Sequence, residues 1–381
     1  MKRWATKPLG EVSESVMGQA PPGNESNFDG KGTPFVKAGE FGERRPIIRE
    51  WTTKPLKYAK SSDVLVCVVG ATCGKLNLGA DCAIGRSVAA IRPNPSLLNQ
   101  GFLYAFLQGW TLRLRTGSQG SAQGVITRNM LGNIPIPVPP LAEQERIVKL
   151  LDEADELRKL RARADHRTAA LLPALFHEMF GDLDSNSRNW SVVRFAEIGE
   201  ARLGKMLDAK QQTGNHKRPY LRNANVQWDR FDLADVLQMD FSESDREEFR
   251  LRYGDLLICE GGIVGRAAIW RNELPECYFQ KALHRVRVQP TKALPEFVLW
   301  LLKAIAATNG FRDCVGSATI PHLTGVKLAS IRIPLPPLPL QKEFAQRVAE
   351  IREMEAAQAG SRQRIESLFQ SMLHRAFNGE L

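Results

Sequence analysis

The feature that most constrains this chain is an internal repeat with a period near half its length, so whatever it folds into must be built as two similar units. Trp4-Ala5-Thr6-Lys7-Pro8-Leu9-Gly10-Glu11-Val12 aligns with Trp190-Ser191-Val192-Val193-Arg194-Phe195-Ala196-Glu197-Ile198, and Gly18 and Gly204 follow at the same distance. Ser62-Asp63-Val64-Leu65-Val66-Cys67 aligns with Gly254-Asp255-Leu256-Leu257-Ile258-Cys259, and Gly120-Ser121-Ala122 with Gly316-Ser317-Ala318. The longest match closes each half. Ile134-Pro135-Ile136-Pro137-Val138-Pro139-Pro140-Leu141-Ala142-Glu143-Gln144 corresponds to Ile331-Arg332-Ile333-Pro334-Leu335-Pro336-Pro337-Leu338-Pro339-Leu340-Gln341. Both halves end on similar words, Phe180-Gly181-Asp182-Leu183 and Phe377-Asn378-Gly379-Glu380-Leu381. A correspondence of this length, in the same order twice, is a duplication.

At 381 residues the chain exceeds one ordinary domain, and each copy divides again. Residues 1–140 and 188–337 mix strand-like runs, short helical patches and many Gly and Pro turns, the signature of an α+β domain. The runs at Val64 and Leu256 read as buried strands entered through turns. The proline words cannot continue a helix and restrict the residue before each proline, so they act as stiff connectors.

Residues 141–187 then read as a long helix and linker, and 338–381 as a second long helix. Ile147, Leu150, Ala154, Leu157, Arg161, Ala164, Thr168, Leu171 and Leu175 recur at alternating spacings of three and four. Phe344, Val348, Ile351, Glu355, Gln358, Arg362, Ile365, Phe369 and Met372 do the same. That is a heptad seam with polar interruptions in its middle. Helices of roughly 35 residues would span about 50 Å, could bury their seams on each other and could hold the globular domains apart. Pro173 is placed to kink the first of them.

Composition narrows the chemistry. Hydrophobic residues make up 43% and charged residues 25%, enough for buried cores. The formal charge of +10 suits a phosphate-tracking surface, because Lys and Arg release counterions from DNA. Cys67, Cys73, Cys82, Cys259, Cys277 and Cys314 form no C-x-x-C pair, which argues against structural zinc and leaves reduced thiols as the expectation. The start Met1-Lys2-Arg3-Trp4 lacks the apolar run of a signal peptide, and no stretch has the apolar length of a membrane span. The expected location is cytoplasmic, with no membrane partner.

Catalytic constellations are missing. Gly70-Ala71-Thr72-Cys73-Gly74-Lys75 resembles a phosphate loop, yet it has three residues between its glycines instead of four, and Leu76 instead of Ser or Thr. Its counterpart Gly261-Gly262-Ile263-Val264-Gly265-Arg266 also ends on a basic residue, which fits a strand–turn–strand hairpin. No S-adenosylmethionine fingerprint and no Asn-Pro-Pro-Tyr-type tetrapeptide occurs, and the six histidines lack metal-ligand spacing. The residues alone leave three classes open: a DNA-reading module, a self-contained enzyme, against which the missing motifs argue, and a coiled-coil adaptor.

Candidate DNA-reading side chains cluster in turn-rich segments. In the first copy they are Lys37, Arg44, Arg45, Lys75, Arg86, Ser118, Gln119, Gln123, Thr127 and Arg128. In the second they are Lys205, Lys217, Arg218, Arg222, Asn223, Arg266, Lys281, His284, Arg285, Thr319 and His322. Arg and Lys suit guanine edges and phosphates, and Asn and Gln suit adenine edges. These loops differ between the copies while connectors and helices agree, as two readers of different targets on one scaffold would.

The order of globular domain, Ile-Pro-x-Pro-Pro-Leu-x-x-Gln connector and long helix, repeated once, resembles the specificity subunit of type I restriction–modification enzymes across the full chain. The words starting at Ile136 and Ile333, the openings at Trp4 and Trp190, and Gly254-Asp255-Leu256-Leu257-Ile258 carry the resemblance, while Pro339-Leu340 departs from Ala142-Glu143. It implies two target recognition domains (1–140 and 188–337) that each bind half of a split site on double-stranded DNA. The long helices (141–187 and 338–381) would form an antiparallel coiled-coil spacer. Ile147, Leu150, Leu157, Leu171, Val348, Ile351, Ile365 and Met372 are the residues expected to dock two methyltransferase subunits, with restriction subunits added. Catalysis, S-adenosylmethionine, magnesium and ATP would belong to those partners, with no cofactor or metal in this chain.

Overall fold

The matched apolar runs Val64–Cys67 and Leu256–Cys259 are strands buried at every residue. Alternation sends Val64 and Val66 into one core and Leu65 and Cys67 into another. Leu256 and Ile258 part from Leu257 and Cys259 in the same way. A strand covered on both faces has no polar side to present, which is why both runs are continuously apolar. Each is central in a four-stranded antiparallel sheet with the same order: Ser13–Met17, Val88–Pro93, Val64–Cys67, Leu76–Leu78, and Gly199–Leu203, Leu283–Val288, Leu256–Cys259, Ala267–Ile269. The glycine words therefore form hairpin turns, as the sequence predicts. Gly74 and Gly265 adopt positive φ there (85° and 76°), a conformation that suits glycine.

The computed structural model describes residues 4–117, 124–183, 185–207, 213–308, 310–311 and 322–381. They divide into unit one, Met1–Arg163 with Ala359–Leu381, and unit two, Ala164–Gln358. Five main helices accompany the sheets: α1 (Gln100–Gly117), α2 (Leu141–Ala169), α3 (Leu171–Phe180), α4 (Pro295–Ala307) and α5 (Leu338–Asn378). In unit one α1 covers the sheet with Phe102, Leu103, Phe106 and Leu107. In unit two α4 does so with Phe297, Val298, Leu301 and Leu302. The opposite face of each sheet meets a second one, of five short strands in unit one and three in unit two. Both second sheets contain an equivalent parallel pair, Thr33–Val36 with Cys82–Ile84 and Lys217–Leu221 with Tyr278–Phe279.

The proline connectors are edge strands. Pro135–Pro137 pairs antiparallel with Thr6–Pro8, and Arg332–Leu335 with Ser191–Arg194, closing each domain by joining its opening to its end. Two-stranded ribbons suit proline, since its missing N–H can face the unpaired edge. The following helices start at equivalent residues, Leu141 and Leu338. Pro339 is tolerated because the first helical turn has N–H groups without intrahelical partners in any case.

The first long helix is interrupted beside Pro173: α2 ends at Ala169 and α3 begins at Leu171. Pro173 cannot donate to the Ala169 carbonyl, so the ladder stops there. In unit one Ile147, Leu151 and Ala154 of α2 share a core with Phe369 and Ala376 of α5. In unit two Leu172, Phe176 and Phe180 of α3 share one with Phe344 and Val348 of α5. The polar positions pair: Gln358 Nε2 donates to Thr168 Oγ1 at 2.9 Å, and Arg158 Nε donates to Glu366 at 2.9 Å.

One part of the predicted seam needs correction. Leu157 and Leu171 are 51% and 43% exposed, and the buried residues are Leu151 and Leu172. Buried Gln144 sets the rotation of α2, and the spacing Gln144, Ile147, Leu151, Ala154 follows from it. Leu150, Ile351, Ile365 and Met372 are half-buried. Among the described residues no helix is long and apolar enough to cross a membrane.

Candidate nucleic-acid interface

Each central sheet ends in a close backbone crossing. Gly18 N donates to Val88 O at 2.9 Å, and Gly204 N donates to Leu283 O at 3.0 Å. A Cβ on Gly18 would fall 2.1 Å from the Gly85 carbonyl oxygen, and one on Gly204 would fall 2.3 Å from that of Gln280. Glycine is required at both places by this approach.

Beside each crossing lies a groove. In unit one it measures about 400 Å3, with Phe35, Lys37, Glu50, Arg86 and Ser87 on its walls. In unit two it measures about 860 Å3, with Arg202, Lys205, Asp245, Glu248, Lys281, His284 and Val326. Arg86 and Lys281 hold the same place, exposed in the turn before the strands that start at Val88 and Leu283. The sequence-predicted Lys37 and Arg86 thus meet in one groove, and Lys205, Lys281 and His284 in the other.

The two grooves are wired differently. Lys37 forms an ion pair with buried Glu50 and lies 5.6 Å from the Phe35 ring centroid. Lys205 pairs with Asp245, donates from Nζ to the Asp240 carbonyl at 3.0 Å and sits 5.2 Å from the Phe241 ring. Burial alone would raise the Asp245 pKa; hydrogen bonds from Lys205 and Ser242 outweigh it and hold the carboxyl below its usual range. Arg202 pairs with Glu248. His284 is buried on the groove floor, with Nε2 donating to the Leu323 carbonyl at 2.8 Å. Burial pushes its pKa down, against that bond and the charge of Glu260.

Other sequence-predicted residues lie elsewhere. Lys75 is exposed and Arg266 half-buried at the hairpin turns. Lys75 Nζ donates to the Phe41 carbonyl at 2.7 Å, and Arg266 donates to the Asn223 carbonyl at 2.8 Å and Gln227 Oε1 at 3.3 Å. Both basic residues thus tie the hairpin to a loop of the second sheet. Asn223 returns a bond to the Gly261 carbonyl. Arg45 bonds the Gly79 carbonyl, Arg44 pairs with Asp152, Arg222 with Asp235, and Arg218 with Glu276. Arg285 is buried, 2.6 Å from the Glu248 carbonyl and over the Phe279 ring. Lys217, Arg128 and His322 are exposed. Thr127 caps the short helix Arg128–Gly132, and Thr324 caps the equivalent Gly325–Ser330. Ser118, Gln119, Gln123 and Thr319 lie outside the described residues.

Sequence reasoning missed two matched ion pairs, which lie at the end of each central sheet away from its groove. Arg92 bonds Asp63 at 3.0 Å through both Nε and NH2, and Arg287 bonds Asp255 at 2.9 and 3.3 Å. The signal was present: both partners of each pair align in the repeat. Val326, 82% exposed on the unit-two groove, was also missed. Among the described residues no group of His, Cys, Asp and Glu could hold a metal ion.

The family described as type I restriction modification DNA specificity domain matches residues 1–164 and 187–367, which shows that the chain belongs to it. It is similar to the putative type I restriction enzyme MjaX specificity subunit of Methanocaldococcus jannaschii, 32% identical over 42% of this chain and 38% of that relative. It is also similar to the EcoKI specificity subunit of Escherichia coli, 27% identical over 80% of this chain and 70% of the relative. A solved chain from work on complex assembly and conformational transition of the type I restriction–modification system shares the fold. Its TM-score is 0.70 at 21% identity, over 100% of this chain and 99% of that one. The chain is a specificity subunit, a non-catalytic class of protein.

Proposed function

We propose that this chain reads a split DNA sequence for a type I restriction–modification complex, with one half-site in the groove of each unit. The observation that carries this reading is the recurrence of one groove in both copies. Each has a backbone crossing that admits only glycine, a cation in the same turn (Arg86 or Lys281) and a different surrounding set of side chains. Shared scaffold with unshared lining is what two readers of different half-sites require, since phosphate contacts position a protein and base contacts specify.

The long helices act in this reading as an antiparallel coiled-coil spacer that sets the unread length between half-sites. Exposed Leu157 and Leu171 are apolar groups available to partners. Two methyltransferase subunits and restriction subunits would bring S-adenosylmethionine, magnesium and ATP, and the complex would act in the cytoplasm.

The test is to purify the chain with its methyltransferase partners and map methylated sites across genomic DNA. A split motif is expected. Arg86→Ala and Lys281→Ala should each weaken binding and lower the slope of log affinity against log salt by about 1. A continuous motif, or salt slopes unchanged in both variants, would overturn the reading.

A further inference from the structure

Arg44 and Asp229 occupy the same place in the two copies and carry opposite charge. Each stands the same number of residues beyond an equivalent strand residue, Val36 or Leu221, which pair in parallel with Ile84 and Phe279. Each reaches a long helix of its own unit. Arg44 NH2 donates to Asp152 of α2 at 2.7 Å. Asp229 accepts from Arg352 of α5 at 2.6 and 2.7 Å, and from Arg271 at 3.3 Å. Counted from the equivalent starts Leu141 and Leu338, Asp152 and Arg352 lie one helical turn apart. The contact between globular domain and helix thus recurs with its polarity reversed.

We propose that Arg44 and Asp229 are positioning residues, charges of opposite sign at one loop position that set the pose of each globular domain on its own helix. A first-copy domain placed on α5 would bring Arg44 towards Arg352. A second-copy domain placed on α2 would bring Asp229 towards Asp152 and Asp155. Like charges in these places disfavour mis-docking, and specificity often rests on such repulsion as much as on the attractive pair. The unit-two key is the stronger one. Asp229 and Arg352 side chains are 19% and 26% exposed, against 40% and 47% for Arg44 and Asp152, and solvent weakens the more exposed pair.

The test measures pose in the full chain without DNA, so its failure would leave the recognition proposal standing. With Cys314→Ser, nitroxide labels replace exposed Tyr253 and Ala356 in unit two, or exposed Phe28 and Glu153 in unit one. Dipolar spectroscopy then gives the distance distribution between domain and helix. Asp229→Arg, which also meets Arg271, should broaden the unit-two distribution alone, and adding Arg352→Asp should narrow it again. Arg44→Asp should broaden the unit-one distribution alone, with recovery on adding Asp152→Arg. Asp229→Asn serves if Asp229→Arg does not fold, and a smaller broadening is expected from it. Variants with wild-type circular dichroism and unchanged distributions would overturn the proposal. So would broadening that the charge swaps do not reverse.

Discussion

Gln341 Oε1 accepts a hydrogen bond from the backbone N–H of Leu294 at 2.9 Å, so the last residue of the connector word, in the first turn of α5, holds the entrance of α4. Its Nε2 donates to the Pro336 carbonyl at 2.8 Å, capturing the connector itself. Gln144 repeats the arrangement, with Oε1 accepting from Asn99 N at 2.8 Å and Nε2 donating to the Pro139 and Leu97 carbonyls at 2.8 Å. Both glutamines are fully buried. The Pro-Pro-Leu-x-x-Gln word is therefore a three-way joint between domain helix, connector and long helix. Gln341→Ala strands the N–H of half-buried Leu294 and the carbonyl of buried Pro336, and a loss of about 1–3 kcal/mol for each group left unsatisfied is expected. Hydrogen exchange should show faster opening at the start of α4 and leave α1 unaffected; equal protection in variant and parent would contradict the joint.

The ion pairs Asp63–Arg92 and Asp255–Arg287 lock the central strands of each sheet. Asp63 is fully buried and also accepts from Lys60 N at 2.8 Å. Asp63→Asn leaves Arg92 only its longer pair with exposed Glu14 at 3.6 Å, at a cost of about 3 kcal/mol, the low end for a broken buried pair because Arg92 is 26% exposed. Asp63→Asn combined with Arg92→Met should recover part of that loss in denaturant titrations. A double variant no more stable than the single one would mean that the pair contributes through something other than its charge.

The crossing beneath each groove gives a prediction with an internal control. In Gly204→Ala the new methyl meets the Gln280 carbonyl at 2.3 Å, and backbone has to move. A loss above about 2 kcal/mol is expected, together with altered groove geometry, because the neighbour is not a flexible side-chain end. At Gly39 nothing lies within 4 Å of the added Cβ, so Gly39→Ala should stay within about 0.5 kcal/mol of the parent. Melting curves of the two variants would separate these expectations, and similar midpoints would refute the steric argument.

How much of this was legible beforehand follows from the range of each interaction. The duplication, the buried strands at Val64 and Leu256, and the helices after the connectors are local patterns, and local patterns are written in sequence. The rotation of α2 was not legible. Leu150 and Leu151 are both apolar, and only the buried contacts of Gln144 select Leu151. The grooves were half legible. Lys37, Arg86, Lys205 and Lys281 stood out as cations, but the partners that hold Lys37 and Lys205, Glu50 and Asp245, come from other parts of the chain. His284 and Arg285 looked like surface basics because burial in a strand of alternating Leu, His, Arg and Val depends on what covers the sheet.

His284 makes the acid limb of unit-two stability a direct readout of the groove floor. It is 1% exposed, and burial holds its pKa below the unperturbed value of about 6.5 despite the bond to Leu323 and the charge of Glu260. The neutral ring is thus the form the fold prefers, and the unfolded chain takes up its proton first. The stability this contributes is complete above pH of about 6.5 and is lost as pH falls through the lowered value of the folded state. Between those limits the unit-two transition should weaken with each step of acidification, more steeply than for His284→Gln, which cannot charge at that position. Fluorescence- or exchange-detected unfolding at a series of pH values would show the difference. Parallel pH profiles for parent and variant would mean that the groove floor accommodates the imidazolium, and that acid sensitivity arises elsewhere in the unit.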